Sequence, residues 1–223
     1  MVGRAAINIT GHNQSYFFKG DKYVKINWTP GNTDDTIQYG PTEFAKEWPS
    51  LKEAGFNQID AILPIPGHDH RAYFFCGGNY ARIEFTPGGG DKIVGSGVHT
   101  IEGAWPSLKK AGFKHVDGAL LVPGRADEAY IFSGEQYCRV KFKEGQTDDE
   151  LIGGPRDIAG VWSASGFKTI DTIIPRPGND ANAYLFCGDN YAQVKVNPGG
   201  SDELVGRHTC AGGWPSLHKA GFY

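Results

Sequence analysis

The sequence predicts an all-β protein, a four-bladed β-propeller, on three observations. Gly-Phe pairs at Gly55-Phe56, Gly112-Phe113, Gly166-Phe167 and Gly221-Phe222 divide the 223 residues into four units of near-equal length. Each unit repeats the same strand and turn signals in the same order, and each ends on a tryptophan-bearing helical segment. Tandem repeats of about 50 residues built from strands mark a propeller. One four-stranded sheet leaves both faces exposed, whereas four set radially cover each other. The prediction is one domain with blades at about 3–56, 57–113, 114–167 and 168–223.

Each unit opens with a short apolar run: Ala5-Ala6-Ile7, Ala61-Ile62-Leu63, Ala119-Leu120-Leu121 and Thr172-Ile173-Ile174. After a loop comes an aromatic strand beginning at Tyr16, Tyr73, Tyr130 or Tyr184, then a glycine turn at Gly20, Gly77, Gly134 or Gly188. The third strand alternates. In Tyr80-Ala81-Arg82-Ile83-Glu84-Phe85 the charges share one face and the apolar residues the other, the period of a half-buried strand. A turn at Pro30-Gly31, Pro87-Gly88, Glu144-Gly145 or Pro198-Gly199 follows, with acids just after it, and a brief apolar step at Ile37, Ile93, Leu151 or Leu204 reads as an outer fourth strand. The closing segment TEFAKEWPSLKEAGF reads as a helix with Thr42 as N-cap and with Phe44, Trp48 and Leu51 on one face. Unit three has Ser163-Ala164-Ser165 where the others have Pro-Ser-Leu, so its helix is expected to differ.

An aspartate opens the first strand in three units: Asp60, Asp117 and Asp171. Alignment puts Arg4 in the fourth slot. First strands of a propeller line its axis, so these residues form a ring around a channel. Converging carboxylates raise one another's pKa or recruit a cation, and Arg4 offsets one charge. The carbonyls of Ala6, Ile62, Ala119 and Ile173, two residues on, make a second oxygen ring suited to a hard cation. Two roles stay open for the acids: capping backbone N–H groups, and holding an ion or amine.

The formal charge of −3 and dispersed basic residues argue against a nucleic-acid or anionic-membrane partner. No apolar run has the length of a membrane-spanning helix. The N-terminal MVGRAAINIT lacks a signal region, which predicts a cytoplasmic protein, and its four cysteines, none in a C-x-x-C pair, are then expected as free thiols. Gly88-Gly89-Gly90-Asp91-Lys92 aligns with the turn Gly31–Asp35 and reads as a turn rather than a phosphate loop, and no nucleotide cofactor is expected. His68 and His70 offer imidazoles to a metal or haem but recur in no other unit, so a polar loop is the simpler reading. The same holds for Arg125, Asp127, Glu128, Arg176 and Asp180.

The fourfold pattern of apolar strand opened by Asp, Tyr-x-Phe-x-Gly-x-x-Tyr, Pro-Gly turn and Trp-bearing helix resembles hemopexin-like repeats. Together with the turn TPGNTDDTIQYGP it is similar to the hemopexin-fold seed albumins of legumes, the albumin-2 type. The resemblance implies an axial ion (Ca, Na or Cl) and binding of polyamines such as spermine and of haem. It also implies homodimerisation and a role in seed storage. By position, the channel site falls on Arg4, Asp60, Asp117 and Asp171, with the carbonyls of Ala6, Ile62, Ala119 and Ile173 beside it. Arg4 departs from the neutral or acidic residue usual there and favours a monovalent ion or an amine. Secreted hemopexin domains close with a disulfide; no cysteine stands near this N-terminus, so closure falls to packing. The leading expectation is a non-enzymatic ligand-binding protein. Its competitors are a cyclase-like enzyme with a pocket on the propeller face, and a lectin or protein-interaction platform.

Overall fold

The computed structural model describes residues 2–223. Blade one runs β1 (Arg4–Ile9), β2 (Gln14–Lys19), β3 (Lys22–Asn27) and β4 (Thr36–Glu43). Blade two is β5 (Ala61–Pro64), β6 (Arg71–Cys76), β7 (Asn79–Phe85) and β8 (Asp91–Thr100). Blade three is β9 (Gly118–Leu121), β10 (Glu128–Ser133), β11 (Gln136–Lys141) and β12 (Glu150–Asp157). Blade four is β13 (Thr172–Arg176), β14 (Asn179–Cys187), β15 (Asn190–Lys195) and β16 (Glu203–Thr209). Each blade is one antiparallel sheet in chain order. The first strands touch in a closed circuit, β1 against β5 and β13, and β9 against β5 and β13. The circle predicted from the repeats is therefore formed. Its outer strands are full strands rather than brief steps.

The apolar core divides among the four blade junctions, each holding one of the recurring tryptophans Trp48, Trp105, Trp162 and Trp214, all buried, with Trp28 added beside Trp214. Tyr16, for example, meets Trp48 edge-on at 5.2 Å, and Tyr130 meets Trp162 at 5.1 Å. Truncating such a buried ring costs about 3–5 kcal/mol.

The closing helix differs from expectation in two respects. Thr42 lies in β4, and the cap position falls on Glu43, whose side chain makes no capping bond. The segment also divides into α1 (Phe44–Glu47) and α2 (Pro49–Glu53) at Trp48, which sits at φ −118°, ψ 79°. A residue before proline is pushed out of the helical region, so Pro49 breaks the helix. The same break separates α3 (Ile101–Ala104) from α4 (Pro106–Ala111), and α6 (Cys210–Gly213) from α7 (Pro215–Lys219); there Thr100 and Thr209 do cap, accepting from Gly103 and Gly212. In blade three, α5 (Ile158–Val161) is followed only by a 3-10 turn, Ser163–Ser165.

Two polar latches fasten blade to blade. In three blades the acid after the third-strand turn caps the proline-started helix of the preceding blade: Asp91 accepts from the Ser50 N–H at 2.9 Å, Asp149 from Ser107 at 2.9 Å, and Asp35 from Ser216 at 3.0 Å. At the same three junctions the tyrosine of the aromatic strand accepts from the turn glycine of the next blade: Gly88 to Tyr16 (3.4 Å), Gly145 to Tyr73 (3.1 Å) and Gly31 to Tyr184 (3.1 Å). Blade four closes on blade one through this pair of latches and through Lys19, whose ammonium donates to the Gly221 carbonyl at 2.5 Å. The C-terminal ring of Tyr223 packs between Phe17 and Phe186 and lies beneath the Arg4 guanidinium. No disulfide takes part: all four cysteines are free, Cys138 and Cys210 fully buried.

Candidate functional site

The opening residues of the inner strands do meet at one end of the axis. Arg4, Asp60, Asp117 and Asp171 line a single narrow cleft of about 50 Å³ with Gly134 and Ile170. Arg4 pairs with Lys19 on β2, the slot that each aspartate holds in its own blade.

Each acid caps its own hairpin. Oδ2 of Asp60, Asp117 and Asp171 accepts the N–H of Gly77, Gly134 and Gly188 at 2.6, 2.7 and 2.7 Å. In blade one the backbone does this work, Gly20 donating to the Gly3 carbonyl at 2.9 Å, which is why an arginine is tolerated there. Of the two roles left open by the sequence, capping is thus in place, and it leaves further oxygen lone pairs facing the cleft.

The charges around the ring are unequal. Arg4 forms an ion pair with Asp171 at 3.2 Å. His115 Nε2 lies 3.3 Å from Asp117 Oδ2, and Gln58 donates to Asp60 Oδ1 at 2.7 Å. Burial holds the Asp60 carboxyl above the usual range; the Gly77 and Gln58 bonds lower it, and the charge of Asp117 raises it further. His115 and Gln58 were not singled out from the sequence, because neither recurs between units. Among the described residues, no three His, Cys, Asp or Glu side chains gather closely enough to hold one metal ion.

The second oxygen ring follows from ladder parity. An innermost strand has a partner on one edge only, and alternate residues turn their N–H and C=O to the free edge. The Gly20–Gly3 bond fixes Ala5 and Ile7 as bonded positions and Ala6 as free. The bonds Ile65 to Arg71 and Val122 to Glu128 do the same for Ile62 and Ala119. In blade four the Pro175 carbonyl is free of the ladder and accepts from Asn8 Nδ2 at 2.8 Å, which sets Ile173, two residues earlier, on the same edge. Pro64 and Pro175 occupy this free parity, so their missing N–H groups cost no ladder bond. Ala6, Ile62, Ala119 and Ile173 line a wider axial cavity of about 460 Å³, whose rim carries Arg176 and Asp180.

No family model matches the chain. Albumin-2 from Pisum sativum is 29% identical to it over 224 residues, covering 96% of this chain and 93% of that protein. The solved 2S albumin seed protein from Dolichos superposes with a TM-score of 0.85 at 30% identity, covering 98% of this chain and 99% of that one. The hemopexin fold protein CP4 from cow pea gives a TM-score of 0.84 at 30% identity, with 96% of each chain covered. The chain belongs to the hemopexin-fold seed albumins.

The other candidate residues of this albumin are engaged elsewhere. His68 Nε2 lies 3.2 Å from Glu144 and 3.3 Å from Arg71, while the His70 ring sits against Phe85. Glu128 is bound to Arg139, and Asp127 lies 3.3 Å from Lys141. The glycines before Asp91 form the turn between β7 and β8, as the alignment required. Among the described residues, no helix is long and apolar enough to cross a membrane.

Proposed function

We propose that this albumin is a non-enzymatic binding protein with a storage role, and that the acidic mouth of its axis takes one ammonium end of a polyamine such as spermine, or a small monovalent cation. The observation that carries the reading is the meeting of three carboxylates from three blades in one cleft, with a single guanidinium to offset them. Asp171 is neutralised by Arg4, which leaves Asp60 and Asp117 as the attracting pair. A cation between them relieves the mutual repulsion that helps raise the Asp60 carboxyl. In a narrow, partly dry cleft that attraction exceeds its value in open water.

The volume of the cleft, about 50 Å³, suits an ion or one ammonium rather than a whole ligand. Two strand residues, about 7 Å, separate the acids from the free carbonyls of Ala6, Ile62, Ala119 and Ile173. Successive nitrogens of a polyamine are spaced on the same scale, and the 460 Å³ cavity beyond gives the rest of the chain room. Arg4 makes a divalent metal the poorer fit, since it claims one of the three carboxylates. Haem and homodimerisation rest on the family resemblance alone; a haemin absorbance titration and the sedimentation coefficient test them.

The deciding experiment is calorimetry with spermine. The expected result is binding that weakens with added salt and falls about tenfold in Asp60→Asn, the loss of one charge-assisted contact. Absence of heat, or an Asp60→Asn variant that binds as the parent does, refutes the axial reading.

A further inference from the structure

The junction between blades three and four lacks both latches that fasten the other three. Asp202 holds the position of Asp35, Asp91 and Asp149, one residue before the outermost strand pairs at Lys195–Glu203. The helix it would cap is missing, because Ser163-Ala164-Ser165 forms a 3-10 turn where the other blades begin a helix with Pro-Ser. Among the described residues, the only hydrogen bond to Asp202 comes from the Asn197 N–H, to Oδ1 at 3.1 Å. Tyr130 and Gly199, the counterparts of the bonded pairs Tyr16–Gly88, Tyr73–Gly145 and Tyr184–Gly31, make no such bond.

These orphaned groups share one space. Tyr130, Tyr137, Trp162, Gly199, Asp202 and Arg156 line a notch of about 240 Å³ at the junction. Trp162 walls the notch and is only 2% exposed; its buried indole N–H has no partner, as is also true of Trp105 and Trp214. Burial pushes the Asp202 carboxyl up to about 6, with only the Asn197 bond opposing it. Notches of about 240 and 290 Å³ occur at the junctions of blades one and two and of blades four and one. There one oxygen of the equivalent acid and the equivalent tyrosine hydroxyl are already bonded, although Trp214 Nε1 and Oδ1 of Asp35 and Asp91 stay buried without a partner.

From this arrangement we infer that the notch between blades three and four is a binding site for a neutral polyhydroxylated ligand, a single pyranose ring of a sugar. Charge selects against an ion. Arg139, which also borders the notch, is matched by Glu128 with Nε 2.6 Å from Oε2, and Arg156 and Asp202 leave one charge of each sign. The free groups combine donors and acceptors: Asp202 Oδ2 accepts, the Gly199 N–H donates, and the Tyr130 hydroxyl does both. Ring hydroxyls answer all of them, donating to one neighbour while accepting from another. The other junctions show what this acid takes when it is satisfied: at Ser50 and Ser216 it accepts from a hydroxyl and an adjacent N–H together. Two neighbouring sugar hydroxyls reproduce that donor pair, and the tyrosine rings give the apolar ring face a wall. The space is smaller than a drug-sized pocket, as one sugar ring requires.

The test is an NMR titration of ¹⁵N-labelled protein with D-galactose, D-glucose and D-mannose in turn. It follows the Trp162 indole N–H signal, assigned with Trp162→Phe. The expected result is a saturable shift with at least one sugar, binding about tenfold weaker in Asp202→Asn. A second variant, Ser163→Pro with Ala164→Ser, restores the Pro-Ser helix start; it should occupy Asp202 and abolish the shift while leaving the melting temperature unchanged or higher. Silence of the Trp162 signal with all three sugars overturns the proposal, as does equal affinity in Asp202→Asn. A signal that spermine moves and no sugar does overturns the ligand class.

Discussion

Replacing the latch aspartates one at a time by alanine uses the repeat as its own control. Asp35 is 7% exposed, and its Oδ2 accepts the N–H groups of Ser216 and Leu217, at 3.0 and 3.2 Å, and the Ser216 hydroxyl. Asp91 accepts two donors, both from Ser50. Asp149 has one bond, from the Ser107 N–H, and the Ser107 hydroxyl is left unpartnered. Burial raises the carboxyls of Asp91 and Asp149, which the serine donors pull back, so deleting either acid also removes a desolvation cost. A bond to a charged acceptor contributes about 1.5–3 kcal/mol; at the low end, less the desolvation relieved by each deletion, the losses work out at about 4 kcal/mol for Asp35→Ala, about 2 for Asp91→Ala, about 1 for Asp149→Ala and near zero for Asp202→Ala. For a chain of this length the first corresponds to a fall of about 8–16 °C in melting temperature. Urea denaturation followed by tryptophan fluorescence gives the series. An Asp202→Ala loss as large as that of Asp35→Ala would refute the latch reasoning, as would an order inverted among the other three.

Three further outcomes are expected. The Asp202 carboxyl, held at about 6 against about 3.9 unfolded, contributes its full stability only below about pH 4 and loses it as pH rises through about 6. Asp202→Asn should therefore melt above the parent at pH 7, and the gap should close below about pH 4; scanning calorimetry across pH checks this. Cys76 and Cys187, half-buried, should react with a thiol reagent in the folded protein, whereas Cys138 and Cys210, whose thiols burial pushes up to about 12, should react only on unfolding. Tyr223→Phe removes a buried hydroxyl that donates to Thr172 Oγ1 at 2.6 Å and should cost about 1 kcal/mol in urea denaturation.

Much of this was legible in the chain. The glycine turns, alternating third strands and recurring tryptophans announced four blades, since each reports a local period or a position that every copy must fill. Asp60, Asp117, Asp171 and Arg4 could be set in one ring by alignment alone. Thr42 misled because its sequence context fits a cap, whereas ladder pairing with Tyr23 extends β4 through it. His115 and Gln58 were invisible because the residue two before the ring aspartate changes from blade to blade: Gln58, His115, Thr169. The missing Pro-Ser of blade three was visible as a local difference in the helix, yet its consequence lies across the junction, at Asp202.

By itself the sequence determined the blade, the number of blades and the axis, because strand period, turn chemistry and repetition are local properties that copy faithfully. Only the tertiary structure decided which acids are spent and which are free. Asp35 finds its serine 181 residues away, and Asp202, at the same place in its own blade, finds none. Hydrogen bonds across a blade junction depend on what the neighbouring blade presents, and no single repeat carries that information.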